Sequence, residues 1–370
     1  MALAALPIVA RAAVPAQPPR APAGNNAIAQ VLAGLAPAPG NPEFDRLVAT
    51  PEWQSHREWV QRQWAEVRRR LDAMAAWRDA ELRIADADRR TLIYPFSGPD
   101  FLNADALFPT HPRQVFFSLE RPGTLPDVTR LSAPQFGRAL KDVRDALADI
   151  FERNYFITDY MTRQLTTPYV QGTVPVIAVM MALTGYRIAS IEPFAVFPHL
   201  SPDAAPGESR VPGHRPRKPL RSVRIVYAKD GGPMRTLEYH SIDATDRQLR
   251  WYPDFLDYVG NNRPATAFLK SASYLLHDSQ FAGTRAMLLK TADIVVQDDT
   301  GIPFRQFQAA GWLVRLYGVY TPPLQELRYG TQPDLEAAYV RSGEARPLAF
   351  PFGYHGKDGR SGLMVAQRAR

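Results

Sequence analysis

The chain has 370 residues, 45% of them hydrophobic and 11% aromatic, a composition that supports a large core and excludes a disordered or fibrous protein. It contains no cysteine, so disulfides, thiolate metal sites, a cysteine nucleophile and a lipid-modified cysteine are excluded. The formal net charge is +7, but Arg210, Arg215, Arg217, Lys218, Arg221 and Arg224 all fall in one acid-free stretch, 209–224, which leaves the remainder close to neutral and argues against a nucleic-acid face.

Residues 1–42 hold eight prolines, two arginines, no acid and no aromatic residue, the composition of a leader and linker. Ala2 to Ala10 is apolar, and Ala10-Arg11-Ala12 and Val14-Pro15-Ala16 are small-residue sites of the kind cut in export signals, although the usual preceding positive charge is missing. The expectation is a periplasmic or secreted protein, with a cytoplasmic protein bearing an Ala-rich tail as the alternative. Inside this leader Ile28, Val31, Leu32 and Leu35 keep helical spacing, with Asn26 placed to cap, so a short helix could dock there. The body is expected to be one α+β domain over 43–370, a mixed or antiparallel sheet packed with several helices.

From Pro42 onward, Val60, Trp64, Val67, Leu71 and Met74 mark one face of an amphipathic helix. Strands fit Leu92–Phe96 and Gln114–Leu119, with a short helix around Asp100–Phe108 between them. Ser132 and Gln135 form a capping box that opens a long helix with Pro134 in its first turn. Val174–Leu183 reads as a buried helix; no run reaches the roughly 18 apolar residues of a membrane span. Strands follow at Ile191–Phe197, Ser222–Ala228 and Met234–His240, the last two joined by a Lys229-Asp230-Gly231-Gly232 hairpin signal. Helices fit Ala265–His277 and Phe281–Lys290, and strands fit Asp293–Gln297, Trp312–Tyr320 and Leu348–Tyr354.

Four segments could carry chemistry. Tyr94-Pro95-Phe96-Ser97-Gly98-Pro99-Asp100 runs from a strand into a helix, where a nucleophile or an anion site can sit. Prolines replace the glycines of an esterase elbow, and Ser97 with Asp100 has capping-box spacing, so a helix cap accounts for both. Asn103 and Asp105 add polar density. Asp298 and Asp299 close an apolar strand just before Thr300-Gly301; paired carboxylates there can serve as acid and base, or simply form an Asp-rich turn. His277 ends an apolar run and has no second histidine at zinc-ligand spacing. The glycine-rich stretch 352–362, with Lys357 and Arg360, could wrap an anion but lacks P-loop spacing. Asp298, Asp299, Asp100 and His277 are therefore the catalytic candidates, and Tyr94, Ser97, Asn103, Asp105, Arg305, Lys357 and Arg360 the binding candidates. No metal-ligand spacing and no cofactor motif is present.

The segments YPFSGPDFLNADALFP (94–109), SASYLLH (271–277) and QDDTGIPFR (297–305) together resemble an uncharacterised family of bacterial exported proteins. The resemblance implies export and supplies no activity or catalytic residue. Two functions fit: an exported enzyme that uses clustered Asp residues on an envelope or extracellular polymer such as a glycan, or a non-enzymatic protein that binds a small molecule or an envelope partner. The 209–224 stretch adds a polyanion as a candidate contact; its plain reading is a solvated Pro-rich connector.

Overall fold

The computed structural model describes residues 24–156, 161, 163–196, 220–342, 345–354 and 360–369. Nine strands form one sheet: β1 Thr91–Pro95, β2 Arg113–Ser118, β3 Arg187–Phe194, β4 Arg221–Ala228, β5 Arg235–Ser241, β6 Ala265–Leu269, β7 Ala292–Gln297, β8 Trp312–Gly318 and β9 Gly362–Arg368. Their order is β3-β4-β5-β2-β1-β6-β7-β9-β8. The expected mixed sheet is present, and its centre, β5-β2-β1-β6-β7, runs parallel. Antiparallel pairings flank this centre: β4 on one side and β9 on the other run against it, and the edge strands β3 and β8 beyond them run with it again.

Helices cover both faces, which is why the central strands are apolar without alternation. Leu92 and Tyr94 of β1 join one core, Ile93 the other. The first core lies under α1 Gly24–Leu32, α2 Pro42–Val48, α3 Pro51–Glu81, α4 Phe101–Leu107, α5 Ala133–Arg153 and α6 Val174–Leu183. The second lies under α7 Asp246–Leu249, α8 Phe255–Gly260, α9 Ala282–Thr291, α10 Phe304–Ala309 and α11 Pro333–Ser342. Every residue of α6 from Val174 to Ala182 is buried, so the helix needs no polar face. The capping box of α5 forms as expected from Ser132 and Gln135.

The structure corrects four readings. The packed body begins at Gly24, not at residue 43: Ile28, Val31 and Leu32 of α1 are buried, the Trp53 indole donates to the Val31 carbonyl at 2.9 Å, and Asn26 accepts from the Ile188 amide at 2.9 Å. Ala265–Leu269 is a strand, because a short apolar run buried on both faces carries no period that separates strand from helix. Residues 348–354 are irregular, and the strand lies at Gly362–Arg368. Arg221 and Arg224 belong to β4, where the Arg224 guanidinium sits 3.1 Å from the Glu238 carboxylate and 4.3 Å above the Phe194 ring. The four cations before them, like residues 1–23 and Lys357, lie outside the described residues.

Burial of α1 leads to a direct expectation. Leu32→Ala should destabilise the protein by about 2–5 kcal/mol, the usual cost of opening a cavity in a packed core, read as a lower denaturant midpoint with an unchanged slope. An unchanged midpoint would place α1 outside the core.

Candidate functional site

In an open sheet of parallel strands, ligands bind outside the carboxyl ends of the strands, where neighbouring strands connect in opposite directions. Here that point lies between β1 and β6. The chain leaves β1 for β2 on one side, and it leaves β6 for β7 on the other. A cleft of about 280 Å³ opens there, lined by the segments that follow β1, β2, β5 and β6, with Tyr155, Phe156 and Met161 from beyond α5 on its wall.

Lys270, the first residue after β6, is the polar centre of this cleft. Its side chain is buried, and its ammonium donates to the Asp100 carboxylate at 3.1 Å and to the Asn154 carbonyl. Tyr94, at the end of β1, donates to the same carboxylate oxygen at 2.9 Å. The second oxygen of Asp100 accepts from the Asn103 amide at 3.3 Å and its side-chain nitrogen at 2.8 Å, so Asp100 also caps α4. Burial, and next the Asp100 charge, drives the Tyr94 phenol well above its usual range, so it remains a donor. Ser97 is 4% exposed and lines the cleft, and its hydroxyl has no partner among the described residues. It is not the cap that capping-box spacing suggested.

The loop after β6 is held in an unusual conformation. Ser271, Ser273 and Tyr274 have φ of 53°, 51° and 55°, and Phe96 across the cleft has 57°. Each such non-glycine residue costs on the order of 1–3 kcal/mol and persists only where its surroundings impose it. Asp298 supplies part of that imposition. One of its oxygens accepts from the Ser271 amide at 2.8 Å, and the other accepts from the Thr300 amide at 3.0 Å and from the Thr300 hydroxyl. Thr300 in turn accepts from the Ala272 amide at 2.6 Å. Tyr354 donates to the Ser271 carbonyl at 2.8 Å, and Tyr274 donates to Asp299. Gly353 has φ of +71°, and a Cβ on it would come within 2.7 Å of an Asp298 oxygen, so only glycine closes the clamp.

Of the candidate residues, Tyr94, Ser97 and Asp100 line the cleft. Asn103 stands behind them through Asp100. Asp298 and Asp299 support the loop from below and do not line it. Asp105 turns away to Arg235, at 2.8 Å, and to Tyr186, at 2.7 Å. His277 packs edge-on against Tyr274 outside the cleft, and burial, with the Arg305 charge next, lowers it to about 4. Arg305 and Arg360 are exposed and lie outside it. Sequence reasoning missed Lys270, Ser271, Glu120 and Asp243, all of which line the cleft. A lone lysine at the end of the apolar run ATAFL was the available signal for Lys270, hidden by reading that run as a helix. Among the described residues no group of acids and histidines is placed to hold a metal ion, and no helix is long and apolar enough to cross a membrane.

Compared with protein-family models, curated proteins and solved structures, the chain matches none of them.

The two aspartates should respond differently to the same change. Burial pushes Asp298 up while its three donors oppose that shift, and Asn can reproduce only one of its two accepting oxygens. Asp298→Asn should therefore cost about 1–3 kcal/mol, the penalty of an unmade buried hydrogen bond. Burial, and next the Asp298 charge, raises the Asp299 carboxyl from 3.8 to about 7. A group whose pKa is raised by folding contributes stability below its unfolded value and loses it as pH rises through the folded one. Stability from Asp299 is thus full below about pH 4 and gone above about pH 7. Asp299→Asn should flatten this slope and leave the melting temperature at pH 8 equal or higher. Melting curves of both variants from pH 4 to pH 8 check this; a lower melting temperature for Asp299→Asn at pH 8 contradicts it.

Proposed function

We propose that this protein binds a small organic molecule in the cleft between β1 and β6, with the buried Lys270–Asp100–Tyr94 group as its polar anchor. The observation that carries this reading is convergence: the ends of β1 and β6 bring Lys270, Asp100, Tyr94 and the Ser97 hydroxyl, which has no partner among the described residues, to one concave site at the reversal of strand order. The volume of about 280 Å³ suits a single small molecule, at the low end of ligand pockets. Aromatic and apolar walls with few polar groups are the usual composition of such sites, enzymatic or not.

A polymer-processing hydrolase is the second reading, favoured by the carboxylates of Glu120 and Asp243 on the cleft wall. It transfers the acid and base roles to those residues and away from Asp298 and Asp299. Export to the periplasm or medium is proposed on the leader composition alone.

The test pairs a binding screen with a variant that keeps the fold. Removing both charges of a buried ion pair together avoids leaving one of them unpaired, so Lys270→Met combined with Asp100→Asn should fold, at a cost of about 1–3 kcal/mol for the buried bonds to Tyr94 and Asn154 that it gives up. Ligand-observed NMR of a small-molecule library against the wild type should find binders that lose at least tenfold in affinity on the double variant. Binders indifferent to the double variant, or a screen without binders, would refute the assignment.

A further inference from the structure

The polar groups of the cleft select among small molecules. Across the sheet its wall carries Lys270 after β6, Ser97 and Gly98 after β1, Leu119 and Glu120 after β2, and Asp243 after β5. Four neighbouring strand ends span about 14 Å at the usual spacing between strands.

The turn after β1 has the position of a phosphate-binding loop but not its chemistry. Pro99 has no N–H. The Asp100 amide already donates to the Ser97 carbonyl at 3.1 Å, and the Phe101 amide to the Pro99 carbonyl at 2.7 Å. The Asp100 carboxylate itself caps the start of α4, where a diphosphate would need backbone donors. Lys270, the cation of the cleft wall, is already bound to Asp100, while Glu120 and Asp243 add two further acids. A phosphate here meets three carboxylates, a lysine already paired with one of them, and only hydroxyls such as that of Ser97 as further side-chain donors.

The wall beyond the turn suits another part of a nucleoside. Glu120 stands at the end of the strand beside β1, 22 residues after Gly98, and one of its carboxylate oxygens is buried without a partner among the described residues. An acid at that place and spacing accepts hydrogen bonds from ribose hydroxyls in open α/β sheets. Leu119 next to it is 63% exposed at the cleft lip, an apolar surface for a base to cover. Asp243, one strand further out, spends one oxygen on the Thr245 amide at 3.0 Å and can receive an exocyclic amino group on the other. The Ser97 hydroxyl, 4% exposed and unpartnered among the described residues, points independently to a missing polar ligand atom.

We propose that the cleft binds an adenosine-type nucleoside without phosphate, neutral or cationic at its 5′ end, with the ribose diol on Glu120, the base against Leu119 and its amino group toward Asp243. This rests on the reading of the cleft as the ligand site. The test is isothermal titration of the full chain with adenosine, S-adenosylmethionine (a cationic sulfonium nucleoside), 2′-deoxyadenosine, inosine and ATP. Adenosine or S-adenosylmethionine should bind, 2′-deoxyadenosine and inosine at least tenfold more weakly than adenosine, and ATP not measurably. Glu120→Gln should weaken binding at least tenfold; Leu119→Asp, at an exposed position that folding tolerates, should weaken it at least fivefold. ATP binding as tightly as adenosine, or indifference to both variants, would overturn the proposal. If no nucleoside binds while other compounds bind in a Lys270-dependent way, the nucleoside is wrong and the ligand cleft stands. If no compound binds in a way that depends on Lys270, Glu120 or Leu119, both fail.

Discussion

The ammonium of Lys270 is buried between the Asp100 carboxylate and the Asn154 carbonyl, and the cleft is organised around this contact. Taking both charges out of water costs several kcal/mol per ion, and such a pair persists only when its remaining bonding capacity is met. Here it is met: Tyr94 and Asn103 fill the other sites of Asp100. The contact joins the loop after β6, the turn after β1 and the end of α5, three segments far apart in the chain. It also fixes the one cation among the described residues of the cleft wall, so the field met there is set by the acids around it.

The paired aspartates of the QDDTG segment act on the protein rather than on a ligand. Asp298 and Thr300 bond the amides of Ser271 and Ala272, and Asp299 receives the Tyr274 hydroxyl. These bonds oppose the strain of three left-handed non-glycine residues in four. The consequence is positional: the strained loop presents Lys270 and Ser271 to the cleft, and the acids that hold it lie on the far side. Two adjacent carboxylates at a strand end are thus compatible with catalysis in sequence and with scaffolding in space, and burial with committed bonds distinguishes the two.

The charge of the whole chain says little about its cleft. A chain with a formal net charge of +7 carries, among the described residues of its cleft wall, Asp100, Glu120 and Asp243 against a single lysine. Much of the basic excess lies in one stretch of sequence, whereas local recognition depends on groups within a few ångströms. The proposed neutral or cationic ligand rests on this local arrangement and is opposite to what the isoelectric point suggests.

Elements with a local physical signature were legible in the sequence. The capping box of Ser132 and Gln135, the Asp-Gly hairpin between β4 and β5, the all-apolar helix Val174–Leu183 and the α+β class all follow from short-range patterns of polarity and turn chemistry. Asp100, Tyr94 and Ser97 were found because an unusual turn marks them. What the sequence could not decide depends on burial by distant segments. Ala265–Leu269 is a strand because two helical layers enclose it, and such burial erases the period that would show it. Residues 24–32 belong to the core because Trp53 and Ile188 bond to them across the fold. Asp298 and Asp299 became supports, and Lys270 the centre, only when parallel strands brought three separate loops to one edge of the sheet, because contact order along a chain carries no record of which strand ends become neighbours.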